Sequence, residues 1–268
     1  MSVLHCQDLD LRIAGIRVAT KLELTIQPGQ FWGLLGPNGI GKTTLLKCLA
    51  GLLEPASGAI LLESRALLEL PRRLLARHVG MLQQHTVYVF DASVMQTALI
   101  GRHPYLGYWE REGPEDLAMA SAALRSVDLE GFAGRSVTGL SGGEARRLAF
   151  ASLLVQNPEI MLLDEPTNHL DLRHQVQIMG MIRRRTEDGP RSALAALHDI
   201  NLAARYCNHI IMLFGNGEWC AGPVDDMLTE ASLERLYRCP VERLESPSGP
   251  RFHPQSDQVP AQTGVDRP

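Results

Sequence analysis

The sequence predicts an α/β fold: a mainly parallel sheet, an antiparallel β region beside it, and a helical subdomain inserted between two of the strands. Two observations carry that expectation. A strand-length apolar run, Phe31-Trp32-Gly33-Leu34-Leu35, feeds a glycine-rich loop that opens onto apolar residues at helical spacing in Thr44-Leu45-Leu46-Lys47-Cys48-Leu49-Ala50. Two further buried-strand candidates, Ile160-Met161-Leu162-Leu163 and Ala193-Leu194-Ala195-Ala196-Leu197, are separated by helix-type sequence from Leu172 to Arg185. Strands joined by helical crossovers pair in parallel and are covered on both faces.

The elements follow in order. Leu22, Leu24 and Ile26 alternate with Lys21, Glu23 and Thr25, the period of a half-buried strand, and Pro28-Gly29 turns the chain into the Phe31 run. Several short strands before the glycine loop imply the antiparallel region. From about 86 to 157 mixed helical segments, with loop signals such as Gly101-Arg102-His103-Pro104-Tyr105-Leu106-Gly107, mark the inserted helical subdomain. The run from Ala193 is weak in β-propensity and is assigned by its length and position. Ile210-Ile211-Met212-Leu213-Phe214, the turn Gly215-Asn216-Gly217, and Glu218-Trp219-Cys220-Ala221 read as a hairpin. Residues 1–243 are expected to form one domain, and the Pro-, Ser-, Gln- and Gly-rich segment 244–268 a flexible tail.

At 268 residues the chain has the length for one large α/β domain with an insertion. A net charge of −4 argues against the electrostatic footprint of a nucleic-acid binder. The one dense basic run, Arg183-Arg184-Arg185, is followed by Glu187-Asp188 and reads as a solvated helix face. Five cysteines with no C-x-x-C spacing suggest neither a disulfide framework nor a zinc site, in keeping with a reducing compartment. No signal peptide is expected from the first residues, and no window approaches the roughly 18 consecutive apolar residues of a membrane span.

The chemistry begins at Gly36-Pro37-Asn38-Gly39-Ile40-Gly41-Lys42-Thr43. This is the phosphate-cradling pattern: backbone N–H groups face the α/β-phosphates, Lys42 reaches the β/γ-phosphates, and the Thr43 hydroxyl ligates Mg²⁺. With Thr44 behind it, the loop sits between a strand and a helix N-terminus, where anions are favoured. Asp164 and Glu165 end a buried strand, where open α/β sheets bind ligands. Asp164 is expected to hold Mg²⁺ through water and Glu165 to polarise an attacking water, since consecutive strand residues point to opposite faces. His198 ends the next strand run, within reach of a γ-phosphate or of Glu165. Gln84 follows the apolar run Val79-Gly80-Met81-Leu82 and is a candidate for touching Mg²⁺ or the water; Gln83 competes for that role. His169, in the loop Thr167-Asn168-His169-Leu170-Asp171, reads as structural or interfacial.

A second anion surface is legible in Leu140-Ser141-Gly142-Gly143-Glu144, which also fits a helix capping box. If both surfaces close on one nucleotide, the simplest arrangement is two chains packed head to tail. Ser141, Gly142 and Gly143 of one chain would then cover the glycine loop of the other.

Together these segments make the chain resemble the ATP-binding subunits of ABC transporters over roughly residues 3–240. The resemblance implies a P-loop NTPase (RecA-like) core with Gly36–Thr43 as Walker A, Gln84 as the Q-loop glutamine and Ser141–Gly143 within the signature. It further implies Asp164 and Glu165 at the end of Walker B, Asp171 in the D-loop at the dimer interface, and His198 as the switch histidine. ATP and Mg²⁺ are the implied cofactors. The implied partners are a second ATPase subunit, transmembrane permease subunits and, indirectly, a periplasmic or lipoprotein substrate-binding protein, with no nucleic acid. The implied location is peripheral, on the cytoplasmic face of the inner membrane. Leu197-His198-Asp199-Ile200-Asn201-Leu202-Ala203-Ala204-Arg205-Tyr206-Cys207, with Gly101–Gly107, is similar to the importers of ferric siderophores, haem and cobalamin. An export ATPase shares the same motifs. A soluble ABC ATPase acting on ribosomes or DNA would typically carry two cassettes or long coiled-coil insertions, which this sequence does not display. The stretch Arg12-Ile13-Ala14-Gly15-Ile16-Arg17-Val18 lacks the aromatic residue that usually stacks on adenine in the family, leaving Ile13 or Ile16 to offer an apolar face.

Overall fold

The computed structural model describes residues 2–255 except 14, 85–87, 89, 90 and 248. In chain order it contains β1 (Leu4–Ile13), β2 (Ile16–Ile26), β3 (Phe31–Leu35), α1 (Lys42–Leu49), β4 (Ser57–Leu62), β5 (Arg65–Ala66), α2 (Arg72–His78) and β6 (Val79–Leu82). The helices α3 (Val94–Leu99), α4 (Pro114–Ser126) and α5 (Gly142–Gln156) come next, then β7 (Ile160–Asp164), α6 (Leu172–Glu187), β8 (Ser192–Ala196), α7 (Ile200–Tyr206), β9 (His209–Gly215) and β10 (Glu218–Pro223). The chain continues through α8 (Val224–Met227), α9 (Glu230–Tyr237), β11 (Val241–Ser246) and β12 (Gly249–Pro254).

The central sheet has the order β10-β9-β3-β8-β7-β6, and every pair in it is parallel except the β9–β10 hairpin. A second, antiparallel sheet runs β2-β1-β4-β5. The strand pleat sends alternate residues of β7 to opposite faces. Met161 and Leu163 pack with Val94, Leu124 and Phe150 of the inserted helices, whereas Ile160 and Leu162 pack with Leu22 and Ile26 of the antiparallel sheet and Leu45 of α1. The Ala-rich β8 is held between β3 and β7 with all five residues buried, so burial and pairing on both edges override its weak intrinsic propensity.

The segment from Gly101 to Gly107 ties the insertion to the rest of the fold. Arg102 pairs with Asp116 at 2.6 Å, the Tyr105 hydroxyl donates to the Gln156 carbonyl at 2.9 Å, and Arg73 and Arg77 donate to the Pro104 carbonyl. Gly101 lies so close to α5 that a Cβ there would stand 2.3 Å from the Ser152 carbonyl oxygen and 2.6 Å from the Gln156 nitrogen. Backbone cannot yield as a flexible side chain can, so Gly101→Ala is expected to cost about 1–3 kcal/mol or more of unfolding free energy, read as a lower urea midpoint. An unshifted midpoint would mean that the contact is not as tight as described.

The structure departs from expectation at the C-terminal end. Part of the segment expected as a tail from residue 244 is paired in the β11–β12 hairpin. Phe252 is buried there, and the Asn201 side chain both accepts from the Phe252 N–H at 2.8 Å and donates to its carbonyl at 3.1 Å. Composition alone missed it because one buried aromatic and one amide clasp anchor the segment. The remainder of the expected tail, residues 256–268, and Thr86 at the expected start of the insertion lie outside the described residues. Among the described residues no helix is long and apolar enough to cross a membrane.

Candidate functional site

β3 ends at Leu35 and the glycine loop bends the chain into α1. Gly39 and Gly41 have φ of 75° and 110°, and a Cβ on Gly41 would meet Val18 Cγ atoms at 2.5 Å. Glycine at 41 is therefore required both for its backbone conformation and because β2 presses against the loop. The first backbone bond of α1 runs from the Leu45 N–H to the Gly41 carbonyl at 2.9 Å. The N–H groups of Lys42, Thr43 and Thr44 thus have no acceptor one turn back, the arrangement that makes a helix N-terminus an anion site. Lys42 Nζ donates to the Gly36 carbonyl at 2.7 Å and the Pro37 carbonyl at 3.1 Å. Burial pulls the Lys42 pKa below its ordinary value, opposed by the carboxylates of Glu165 and Asp164.

A cleft of about 510 Å³ opens over this loop, lined by Asn38, Gly39, Gly41, Lys42, Thr43 and Thr44 together with Gln84, Glu165, Asn168, His198 and Ile13. Of the two candidate glutamines it is Gln84 whose side chain reaches the cleft, and of the two isoleucines it is Ile13. Pro37 and Ile40 line a separate cavity of about 680 Å³ on the other side of the loop, and Gly36 contributes its carbonyl to Lys42.

β7 delivers the two acids. Asp164 is 1% exposed, and neither of its carboxylate oxygens accepts a hydrogen bond from the described residues. Burial raises its pKa, with the nearby Thr43 hydroxyl opposing the rise. Glu165 adopts a left-handed backbone, φ 52°, and its N–H donates to the Ala196 carbonyl at 3.2 Å. Its carboxylate is held at both oxygens: Oε1 by His198 Nε2 at 2.5 Å and Oε2 by the Asn168 side-chain amide. An ionised carboxylate only accepts, so Nε2 is the nitrogen of His198 that carries the proton in this bond. Burial pushes the Glu165 pKa up, but hydrogen bonds from His198 and Gln84 and the Lys42 charge outweigh it and leave the carboxyl below its ordinary value.

Ser141 caps α5 through a capping box: its hydroxyl accepts from the Glu144 N–H at 3.3 Å, and the Glu144 carboxylate accepts from the Ser141 N–H at 2.7 Å. Ser141, Gly142 and Gly143 do not line the cleft of their own chain. A Cβ on Gly143 would stand 3.1 Å from the His169 carbonyl oxygen, so this helix start is packed on the loop after β7. Asp171 caps α6, accepting from the His174 N–H at 2.9 Å. Two residues that sequence reasoning did not single out join the site. Asn168 holds Glu165, and the buried Arg146 of α5 donates to main-chain carbonyls of Gln83, Gln84, Asp164 and Glu165. The sequence signal for Arg146 is faint: an arginine one turn inside a helix whose other inward positions are apolar.

The family model described as ABC transporter matches residues 19–168. A Bacillus subtilis (strain 168) protein named as a probable siderophore transport system ATP-binding protein, YusV, is 33% identical over 247 residues, covering 92% of this chain and 90% of the relative. The hemin import ATP-binding protein HmuV of Bordetella avium (strain 197N) is 35% identical over 252 residues, covering 91% and 95%. Among solved structures, the ATP-binding cassette MJ0796, a dimer in a post-hydrolysis state bound to ADP and Pi, superposes with a TM-score of 0.72 at 26% identity, covering 82% of this chain and 98% of that one.

Proposed function

We propose, from the premise that the chain belongs to the ABC transporter family, that it is the ATP-hydrolysing subunit of an importer that takes up a metal chelate. The favoured cargo is a ferric siderophore, with haem or cobalamin next. One observation carries the enzymatic reading: the glycine loop with Lys42 and the Glu165–His198 pair face a single cleft. The two curated relatives, one named for siderophore transport and one for hemin import, support the cargo class.

In this reading the triphosphate lies over the free N–H groups of α1, and Lys42 turns from the loop carbonyls toward the β/γ-phosphates. Glu165 accepts a proton from the attacking water as the bond between the γ-phosphorus and the β–γ bridging oxygen breaks, releasing ADP and inorganic phosphate. His198 and Asn168 fix the direction of the Glu165 carboxylate, so catalysis is mostly positional and electrostatic. Mg²⁺ suits the residues present, because a buried carboxylate without a donor and an adjacent threonine hydroxyl are hard oxygen ligands. Thr43, Asp164 through water, and Gln84 would hold it, and when bound it neutralises phosphate charge. Ser141, Gly142 and Gly143 of a second copy would complete each site, with Asp171 at the contact between copies. Permease subunits hold the pair peripherally at the cytoplasmic face of the inner membrane, and a substrate-binding protein hands the chelate to the permease.

Uptake tests the reading. Cells lacking this chain are expected to lose accumulation of radiolabelled ferric siderophore, haem or cobalamin, and to regain it with the wild-type chain but not with Glu165→Gln. Unchanged uptake of all three would overturn it.

The pH dependence follows from the depressed Glu165 pKa. Hydrolysis requires the ionised carboxylate, so activity falls as pH drops through that pKa, and the acid limb lies below the usual glutamate range. His198→Ala removes an interaction that lowers the pKa. The limb should therefore move to higher pH while kcat falls by about a hundredfold or more. A pH profile with its acid limb in place would sever the proposed link between the two residues.

A further inference from the structure

Arg146 lies in α5 five residues beyond Ser141 and is 4% exposed. Its guanidinium makes no ion pair with any carboxylate among the described residues. It is spent entirely on main-chain carbonyls from two separate segments. Nη1 donates to Gln83 and, at 3.2 Å, to Gln84; Nη2 donates to Asp164 and, at 2.7 Å, to Glu165. Nε has no partner. Burying a charge is costly unless it is well satisfied, and an apolar side chain would pack the helix as well. What the guanidinium adds is a rigid planar fork that spans two carbonyl pairs, which a lysine or an apolar residue does not.

The second pair is where the chain needs holding. Glu165 is left-handed, a conformation that costs a non-glycine residue roughly 1–2 kcal/mol. Its N–H is fixed by Ala196 and its carbonyl by Arg146. That backbone turn aims the carboxylate at His198 and Asn168. The first pair belongs to the segment that carries Gln84 into the same cleft.

We infer that Arg146 is a positioning residue whose guanidinium locks the Gln84 carbonyl to the Glu165 carbonyl, so that glutamine, base and the serine-capped end of α5 move as one body. The inference rests on Glu165 being the base of an ABC ATPase. Because Arg146 is about 7 Å along α5 from its N-terminus, a shift of that helix when a second copy docks is delivered directly to both carbonyl pairs.

The test uses the full chain and compares Arg146→Lys and Arg146→Gln with wild type, counting active molecules by ATP-binding stoichiometry. Both variants are expected to lower kcat per bound nucleotide by about ten- to a hundredfold with KM for ATP within about twofold, because the phosphate cradle does not touch Arg146. Combining Arg146→Gln with Gln84→Ala should lower kcat by less than the product of the two single losses, since placing the Gln84 side chain is part of what Arg146 does. A residue that only stabilised the fold would lower the melting temperature and the active fraction while leaving kcat per site unchanged. That outcome, or losses that multiply in the double variant, would overturn the inference. If Arg146→Gln does not accumulate folded, Arg146→Lys, which keeps the charge, carries the kcat comparison. Glu165→Gln run alongside separates the two ideas: retained turnover there sinks the assignment of the base, whatever Arg146 does.

Discussion

Glu165→Gln is expected to bind ATP with wild-type affinity and to hydrolyse it about 10²–10⁴ times more slowly, holding two copies closed around the nucleotide. The amide keeps the volume of the side chain and an oxygen able to accept from His198 Nε2, so the cleft should keep its shape. It cannot take a proton from water. The second contact changes character, because the Asn168 amide that donates to Glu165 Oε2 would face another amide, and that rearrangement stays outside the glycine loop. Single-turnover phosphate release, nucleotide retention and the size of the ATP-loaded species read the outcome together. Phosphate release at the wild-type rate would exclude Glu165 as the base, and a monomeric, nucleotide-retaining species would exclude the paired arrangement.

The second large effect is expected at Lys42. Lys42→Ala removes the ammonium held inside the cradle and leaves the Gly36 and Pro37 carbonyls without this donor. Losing a buried charge opposite a triphosphate costs about 2–5 kcal/mol, so ATP affinity should fall roughly thirtyfold or more. The fold should persist, because α1 keeps its buried apolar face of Leu45, Leu46 and Leu49. Equilibrium binding of a fluorescent ATP analogue, with circular dichroism as the folding control, measures it. Undiminished affinity in a folded variant would mean that phosphate is bound elsewhere.

The parts of the site that the sequence made legible are those in which a residue's chemistry and its place in a periodic pattern coincide. The glycine loop falls between a strand-length run and a helix, and Asp164-Glu165 ends an apolar run, so each functional group comes with its own address. The β8 assignment rested on position, and parallel pairing on both edges agrees with it. Gln83 and Gln84 were inseparable because adjacent residues at a strand exit differ only in which way they point, something the backbone path alone decides. Asn168 lies only three residues from Glu165, and its contact follows from the left-handed turn there. Arg146 was invisible for another reason. Its role depends on carbonyls brought close by folding, 18 residues away for the bond to the Asp164 carbonyl and more than 60 for that to Gln83. No local pattern encodes such a meeting. The β11–β12 hairpin was missed because low-complexity composition hides a single well-placed aromatic.

That hairpin matters for anyone who shortens the chain. A truncation drawn at residue 243, where composition suggests the domain ends, would remove the cover that Phe252 provides and untie both ends of the Asn201 amide. Asn201 follows His198 by only three positions, so such a trimmed protein would carry a loosened segment beside His198, and any sluggishness would be an artefact of the cut rather than a property of the enzyme.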